Sequence, residues 1–128
     1  MLLSDIRTFM IESINSPQWY LNKVGDKEKS ITIYNRESSN LANIALGGLD
    51  NTSYASKAIS ILVHWGKASN EAELKAQEVY NTFFGKCGII GNKKIVQFKM
   101  IKAEPIYLGT DSNGIIEYVI PLDIIYER

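Results

Sequence analysis

The chain has 128 residues, and its 14 lysines and arginines are balanced by 14 aspartates and glutamates. This length allows a single domain over residues 1–128 with its own core, and an apolar content of 45% excludes wholesale disorder. A net charge of zero argues against a protein whose main function is to bind phosphate backbones. The single cysteine and single histidine exclude an internal disulfide framework and a histidine-rich metal site within one chain.

The N-terminus has no basic stretch followed by an apolar run, so no secretory signal is predicted. No apolar run approaches the roughly 20 residues that are needed to span a bilayer. We therefore expect a chain that is made in the cytoplasm and has no membrane partner.

The first half of the chain contains one clear helix and weaker strands. Apolar residues at helical spacing predict a helix over residues 2–15, which ends before Pro17. Alternation predicts a short strand over 30–34. A second strand is predicted near 43–46, followed by a mobile loop over 47–56 that is rich in Gly, Asn and Ser.

The second half begins with a predicted strand over 57–65, whose apolar side chains alternate. Asn70, followed three residues later by Glu73, predicts the start of a helix that runs to about Phe84. Residues 87–92 are interpreted as a glycine-rich connection.

Two long strands with a polar turn between them are predicted at the C-terminus. The first covers 93–107, the turn covers Gly109–Gly114, and the second strand covers 115–126. A strand of about a dozen residues reaches ~40 Å, so the turn is expected to project from the domain. The last strand has one continuous core face, which consists of Ile116, Tyr118, Ile120, Leu122, Ile124 and Tyr126.

No arrangement of residues predicts catalysis, cofactor binding or metal binding. His64 has no orienting carboxylate or nucleophile at a suitable spacing, so it is interpreted as an ordinary sheet-face histidine. Cys87 follows a helix and lacks the helix N-terminus that would activate its thiol. We therefore expect a protein that is not an enzyme and that needs no cofactor.

The other face of the last strand is unusually apolar. It carries Ile115, Val119, Pro121 and Ile125 between acidic residues. Two helices can cover only one face of such a sheet, so this second face indicates a surface for a partner. The alternative is a two-sheet sandwich that buries the second face internally.

Several segments resemble the small minor capsid or tail-terminator proteins of long-tailed bacteriophages and prophages. They are the strand Lys57–Gly66, the helix with Glu71-Ala72 and Val79-Tyr80, and the turn that reads PIYLGTDSNG from Pro105 to Gly114. The resemblance implies an α+β fold, with a mostly antiparallel sheet, a long C-terminal hairpin and two main helices packed on one face.

The resemblance also implies a structural protein of the virion. It would form a ring, usually a hexamer, at the head-proximal end of the tail tube, where it ends tail polymerisation and contributes to head–tail joining. The implied partners are copies of itself, the tail tube protein and head connector proteins. Direct DNA contact and a cofactor are not expected.

The candidate oligomer or docking surface combines the C-terminal turn with the second face of the last strand. Because the turn has no apolar residue, we expect Asp111→Arg to leave folding intact and to impair docking. The candidate residues are Gly109, Thr110, Asp111, Ser112, Asn113, Ile115, Val119 and Ile125.

Three alternatives remain open at this point. A head-completion or connector protein of the same class would lie one ring nearer the capsid. A small nucleic-acid- or ligand-binding α+β domain would use Lys93, Lys94, Lys99 and Lys102, the one basic concentration in the chain. A small enzyme would use His64.

Overall fold

A computed structural model describes residues 1–37 and 54–128 of the chain. In this part, two helices and seven strands form an α+β fold, as the sequence predicts. Neither helix is long and apolar enough to cross a bilayer. The elements are α1 Leu3–Ile11, β1 Trp19–Leu21, β2 Lys29–Asn35, β3 Tyr54–Trp65, α2 Ser69–Phe83, β4 Gly88–Ile90, β5 Lys93–Met100, β6 Ile106–Thr110 and β7 Ile116–Glu127.

The sheet is organised around the long antiparallel pair β3 and β7. These strands pair from Tyr54 opposite Glu127 to His64 opposite Glu117. The strand order is β1-β2-β3-β7-β5-β4, and β6 also pairs with β7. β5 lies along the C-terminal half of β7 and β6 along its N-terminal half. All neighbours are antiparallel except β1, which runs parallel to β2.

Both helices pack on the same face of the sheet. α1 contacts β1, β2 and β4, and α2 contacts β3 and β7. Three aromatic rings connect the two helices to β5, because Phe98 lies 5.7 Å from Phe9 and 5.0 Å from Phe83 between ring centroids. The strand residues in this core alternate along the sequence: Ile31, Ile33, Ile59, Ile61, Val63, Ile95, Ile116, Ile120, Leu122 and Ile124. The predicted core face of the last strand is confirmed, and its two tyrosines pack at the margin of the core.

α1 is shorter than predicted, and α2 begins slightly earlier than predicted. α1 ends at Ile11, where the amide of Ser13 donates to the carbonyl of Met10 in a tighter turn. α2 begins at Ser69, so Asn70 lies inside the helix and does not cap it. Ala68 is the N-cap and makes no side-chain hydrogen bond, although Glu71 in the first turn suits the helix dipole.

The prediction of one continuous strand over 93–107 is wrong, because the structure divides this segment between two strands, β5 and β6. The chain leaves the sheet between Met100 and Ile106 and returns as β6, after Pro105, which has no N–H to donate to a strand partner. β6 has five residues, about 17 Å, so the hairpin with β7 is much shorter than expected. The two halves of the predicted strand remain neighbours of the same strand, β7.

Three further boundaries differ from the sequence prediction. β3 begins at Tyr54, so residues 54–56 belong to the sheet and not to a loop, because they pair with the end of β7. The three-residue strands β1 and β4 were not predicted, and β4 lies within the expected 87–92 connection. The strand predicted near 43–46 and the rest of the expected loop lie outside the described residues.

Candidate docking surface

The turn between β6 and β7 is held by the side chain of Asp111. Its Oδ1 accepts hydrogen bonds from the amides of Asn113 at 2.8 Å and Ile115 at 2.9 Å. The backbone closes the same turn, since the amide of Asp111 donates to the carbonyl of Ile115 at 3.0 Å. Gly114 has a φ of 79°, a conformation that most other residues avoid. The predicted turn chemistry is therefore present, and Asp111 is its central residue.

Asp111 also joins the turn to the sheet. Its Oδ2 lies 2.8 Å from Nε2 of His64, near the end of β3. The His64 side chain is only 6% exposed, whereas that of Asp111 is 26% exposed. The expectation of a projecting tip is therefore wrong, because β6 is short and its turn is bound to β3. The expectation that Asp111→Arg leaves folding intact is also unsupported, since arginine would remove all three contacts.

The contact with His64 has an electrostatic consequence. The hydrogen bond from His64, followed by that from the Ile115 amide, lowers the pKa of Asp111 below its usual value of 3.8. A carboxylate with a lowered pKa stabilises the folded state above the pKa of the unfolded chain. This contribution is lost as the pH falls through the pKa of the folded state.

We predict that Asp111→Asn destabilises the protein near neutral pH and that the difference from the original chain shrinks below about pH 4. The reason is that acid neutralises Asp111 in the original chain as well. Denaturant unfolding from about pH 6 to about pH 2 measures the difference. Asp26→Asn is the control, because Asp26 makes no hydrogen bond to the turn. A difference for Asp111→Asn that does not change with pH would contradict a role for the ionised carboxylate.

A cleft of about 410 Å³ lies beside this turn. His64 and Asp111 form part of its wall, together with Val24, Gly25, Lys67, Asn113 and Ile115. Acidic side chains exceed basic ones in its lining, which includes Asp26, Glu28 and Glu117 in addition to Asp111. Within residues 1–37 and 54–128, no group of three or more His, Cys, Asp or Glu is placed to hold a metal ion.

The candidate residues differ in how accessible they are. Thr110, Ser112 and Asn113 are exposed on the turn. Gly109, Asp111, Val119 and Ile125 are half-buried, and Ile115 is buried. The structure therefore brings the turn residues together with Ile115. It places Val119 and Ile125 further along the second face of β7.

The second face of the sheet is less open than the sequence indicates. Leu62 and Asp123 are buried on it, and Arg36 lies across it from the end of β2. The Arg36 guanidinium forms an ion pair with Asp123 and donates to the carbonyls of Ile59 and Leu122, each at 3.3 Å. The described strands form one sheet, so no second sheet of a sandwich is present among them.

Sequence reasoning missed the accessible apolar residues of β6. Tyr107 is 59% exposed and Leu108 is 55% exposed, and the sequence placed both inside or beside a long paired strand. β6 pairs with β7 on one side, and its other side has no partner strand in the part of the chain that the structure describes. Pro105 was the available signal in the sequence, because proline cannot donate a hydrogen bond within a strand and here lies between β5 and β6.

The basic residues and the cysteine lie at the surface. Lys94, Lys99 and Lys102 are exposed and Lys93 is half-buried, so they do not converge on a closed pocket. Cys87 is an exposed free thiol. The most prominent features are therefore a hydrogen-bonded turn, an acidic cleft and an open strand edge with large apolar side chains. An open strand edge with large apolar side chains is typical of the class of proteins that assemble with other proteins.

Comparison with known families identifies this class more closely. The family model described as "Bacteriophage tail terminator protein" matches residues 5–128. The chain therefore belongs to the bacteriophage tail terminator family, a structural family of the phage virion, and the resemblance read from the sequence is confirmed. A search of curated proteins and a search of solved structures each found no match.

Proposed function

We propose that this chain forms a ring, a hexamer, that caps the head-proximal end of the phage tail tube. In this position it ends tail polymerisation and contributes to joining tails to heads. Its partners are copies of itself, the tail tube protein and the head connector proteins. The observation that carries the proposal is the family match over nearly the whole chain.

The physical mechanism is the capping of the growing end of the tail tube. One face of the ring pairs with the last ring of the tube, and the opposite face differs from it, so it cannot template another tube ring. Copies within a closed ring contact each other through two unlike surfaces. The layered fold supports this mechanism, because one side presents helices, with exposed Leu74 on α2, and the other presents the second sheet face.

The exposed turn residues provide a test of docking that does not disturb Asp111. Ser112 lies at the turn, is exposed and makes no side-chain hydrogen bond to the described residues. We predict that Ser112→Arg leaves the thermal midpoint unchanged, as surface substitutions usually do. An added bulky charge at a protein contact is costly, so tails should be overlong or fail to join heads. Electron microscopy of phage particles carrying the change measures both properties.

Ser13→Arg is the matched control, since Ser13 is exposed just after α1 and is distant in sequence from the turn. It should give tails of normal length. Normal tails with Ser112→Arg would remove the turn from the docking surface. Tails of normal length that lack heads would indicate that the turn contacts the head connector and not the tail tube.

A further inference from the structure

In the described part of the chain, two strands at opposite edges of the sheet, β1 and β6, lie in the same residue register and each have one open side. Within the described residues, β1 pairs only with β2, and β6 pairs only with β7. Trp19 on β1 lies opposite Ile31 on β2, which lies opposite Val63 on β3. Val63 lies opposite Tyr118 on β7, which lies opposite Tyr107 on β6. The strands β1-β2-β3-β7-β6 therefore form one row that is open at both ends.

The directions of the strands suit the addition of another copy. β1 runs parallel to β2, and each following neighbour in the row is antiparallel, so β6 runs opposite to β1. A second copy placed beside the first in the same orientation brings its β1 antiparallel to β6 of the first. Antiparallel pairs are the more stable kind.

We propose that neighbouring copies of this chain join head to tail, with β6 of one copy paired to β1 of the next. This proposal rests on the ring proposed above and specifies its subunit contact. Each copy would use two unlike edges, which is the heterologous contact that closes a ring. Backbone hydrogen bonds would supply the connection, as in other cases of strand addition.

Burial supports β6 as one of the two edges. Its large side chains Tyr107 and Leu108 are more than half exposed, and an open apolar edge is a liability unless something covers it. On the helix side, β6 borders a cleft of about 510 Å³ that is lined by Tyr107, Tyr118 and Glu73 among others. Trp19 and Leu21 of an added β1 would lie on this same side. Each is paired with a core residue of β2, and paired residues on neighbouring strands point to the same face of a sheet.

Charge favours the head-to-tail pairing over a symmetric pairing of two β6 strands. In the head-to-tail arrangement, exposed Glu104 before β6 lies near exposed Lys23 after β1 of the next copy. A symmetric pairing centred on Tyr107 and Leu108 would instead bring Glu104 close to Asp111 of the other copy. Like charges across a strand pair are destabilising, whereas opposite charges are favourable.

Cysteine cross-linking tests the contact directly. In a Cys87→Ser background, Leu21→Cys and Tyr107→Cys are combined in one chain, and a short bifunctional thiol reagent is added to protein assembled on tail tubes or concentrated in solution. Both positions lie on the helix side of the row, within two residues of the same level. We expect a ladder of covalent oligomers up to a closed ring, and no ladder with either single cysteine.

The control replaces Tyr107→Cys with Leu74→Cys, which lies on α2 and is more exposed than Tyr107, so random collisions would cross-link it at least as often. If Tyr107→Cys lowers the thermal midpoint, Leu108→Cys replaces it and is combined with Tyr20→Cys, because neighbouring residues of a strand point to opposite faces. Covalent dimers from the Tyr107→Cys variant alone would show the symmetric pairing and contradict the proposal.

The outcome separates this contact from the capping function. Rings without a cross-linked ladder, together with normal tail length, would overturn the edge pairing and leave capping intact. If the cross-linked ladder forms, but phage that lack this protein have tails of normal length, the edge pairing is supported and capping is contradicted. A chain that stays monomeric on tubes and at high concentration would contradict both.

Discussion

Replacing Ile120 with alanine is expected to lower the free energy of unfolding by about 2–5 kcal/mol, the range for truncating a buried aliphatic side chain. Ile120 is 1% exposed in the middle of β7 and lies opposite Ile61 on the central strand β3. Its side chain belongs to the core between the sheet and the helices, where loss of the side chain leaves a cavity. Denaturant unfolding at constant pH measures the change.

Val119→Ala is the matched control, because Val119 precedes Ile120 on the same strand and points to the opposite face, where it is half-buried. It should cost about 1 kcal/mol or less. Equal losses at the two positions would contradict the assignment of the faces of β7. Since Val119 belongs to the candidate docking surface, the same variant also shows whether assembly can be impaired in a stably folded chain.

The sequence was most informative where a periodic pattern was long. β7 alternates over 12 residues, so its core face can be identified from the amino-acid sequence alone. α2 was identified from its apolar stripe, but its first residue was not, because no side chain caps it. Gly66, with a φ of 65°, turns the chain out of β3 just before this helix.

Short strands could not be predicted for a physical reason. β1 and β4 have three residues each, which is too few for periodicity, and they are strands because β2 and β5 pair with them. The division of the 93–107 segment likewise depends on tertiary pairing, since β5 and β6 pair with different halves of β7. Only Pro105 marked the break within the segment itself.

Of the candidate surface, the sequence predicts the turn but not the contacts between distant residues that surround it. The Asp-Ser-Asn-Gly sequence indicates a turn wherever it occurs between strands. The contact between Asp111 and His64 joins residues 47 positions apart, and it exists because β3 and β7 pair in a register that brings the two ends together. The open edge of β6 is also a property of the sheet order, which no local pattern reveals.

Removing the carboxylate of Asp123 is expected to be as damaging as truncating the core. Arg36 and Asp123 form an ion pair on the second face of the sheet, with side-chain exposures of 27% and 10%. Breaking a buried pair by removing one partner typically costs about 3–5 kcal/mol, because a charge remains without compensation. The Arg36 guanidinium keeps some contact with solvent, so we expect Asp123→Ala to cost about 2–4 kcal/mol.

The arrangement of Arg36 explains why the loss would affect the whole sheet. Its amide donates to the carbonyl of Ala58 at 3.0 Å, and its guanidinium donates to carbonyls on both β3 and β7. The residue therefore joins the end of β2 to the central pair of strands. Without Asp123, the same guanidinium has no carboxylate partner among residues 1–37 and 54–128, where only its two bonds to carbonyls remain.

A double-mutant cycle separates the charge from the packing. Asp123→Leu alone and Arg36→Met alone should each be destabilising, since each leaves one charged group without its partner. The double variant Arg36→Met with Asp123→Leu should recover most of the loss, because both charges are then absent and apolar side chains fill the space. Unfolding of the four proteins in denaturant gives the coupling. Additive losses in the double variant would show that the ion pair does not stabilise this face, and that Arg36 acts through its bonds to the strand carbonyls.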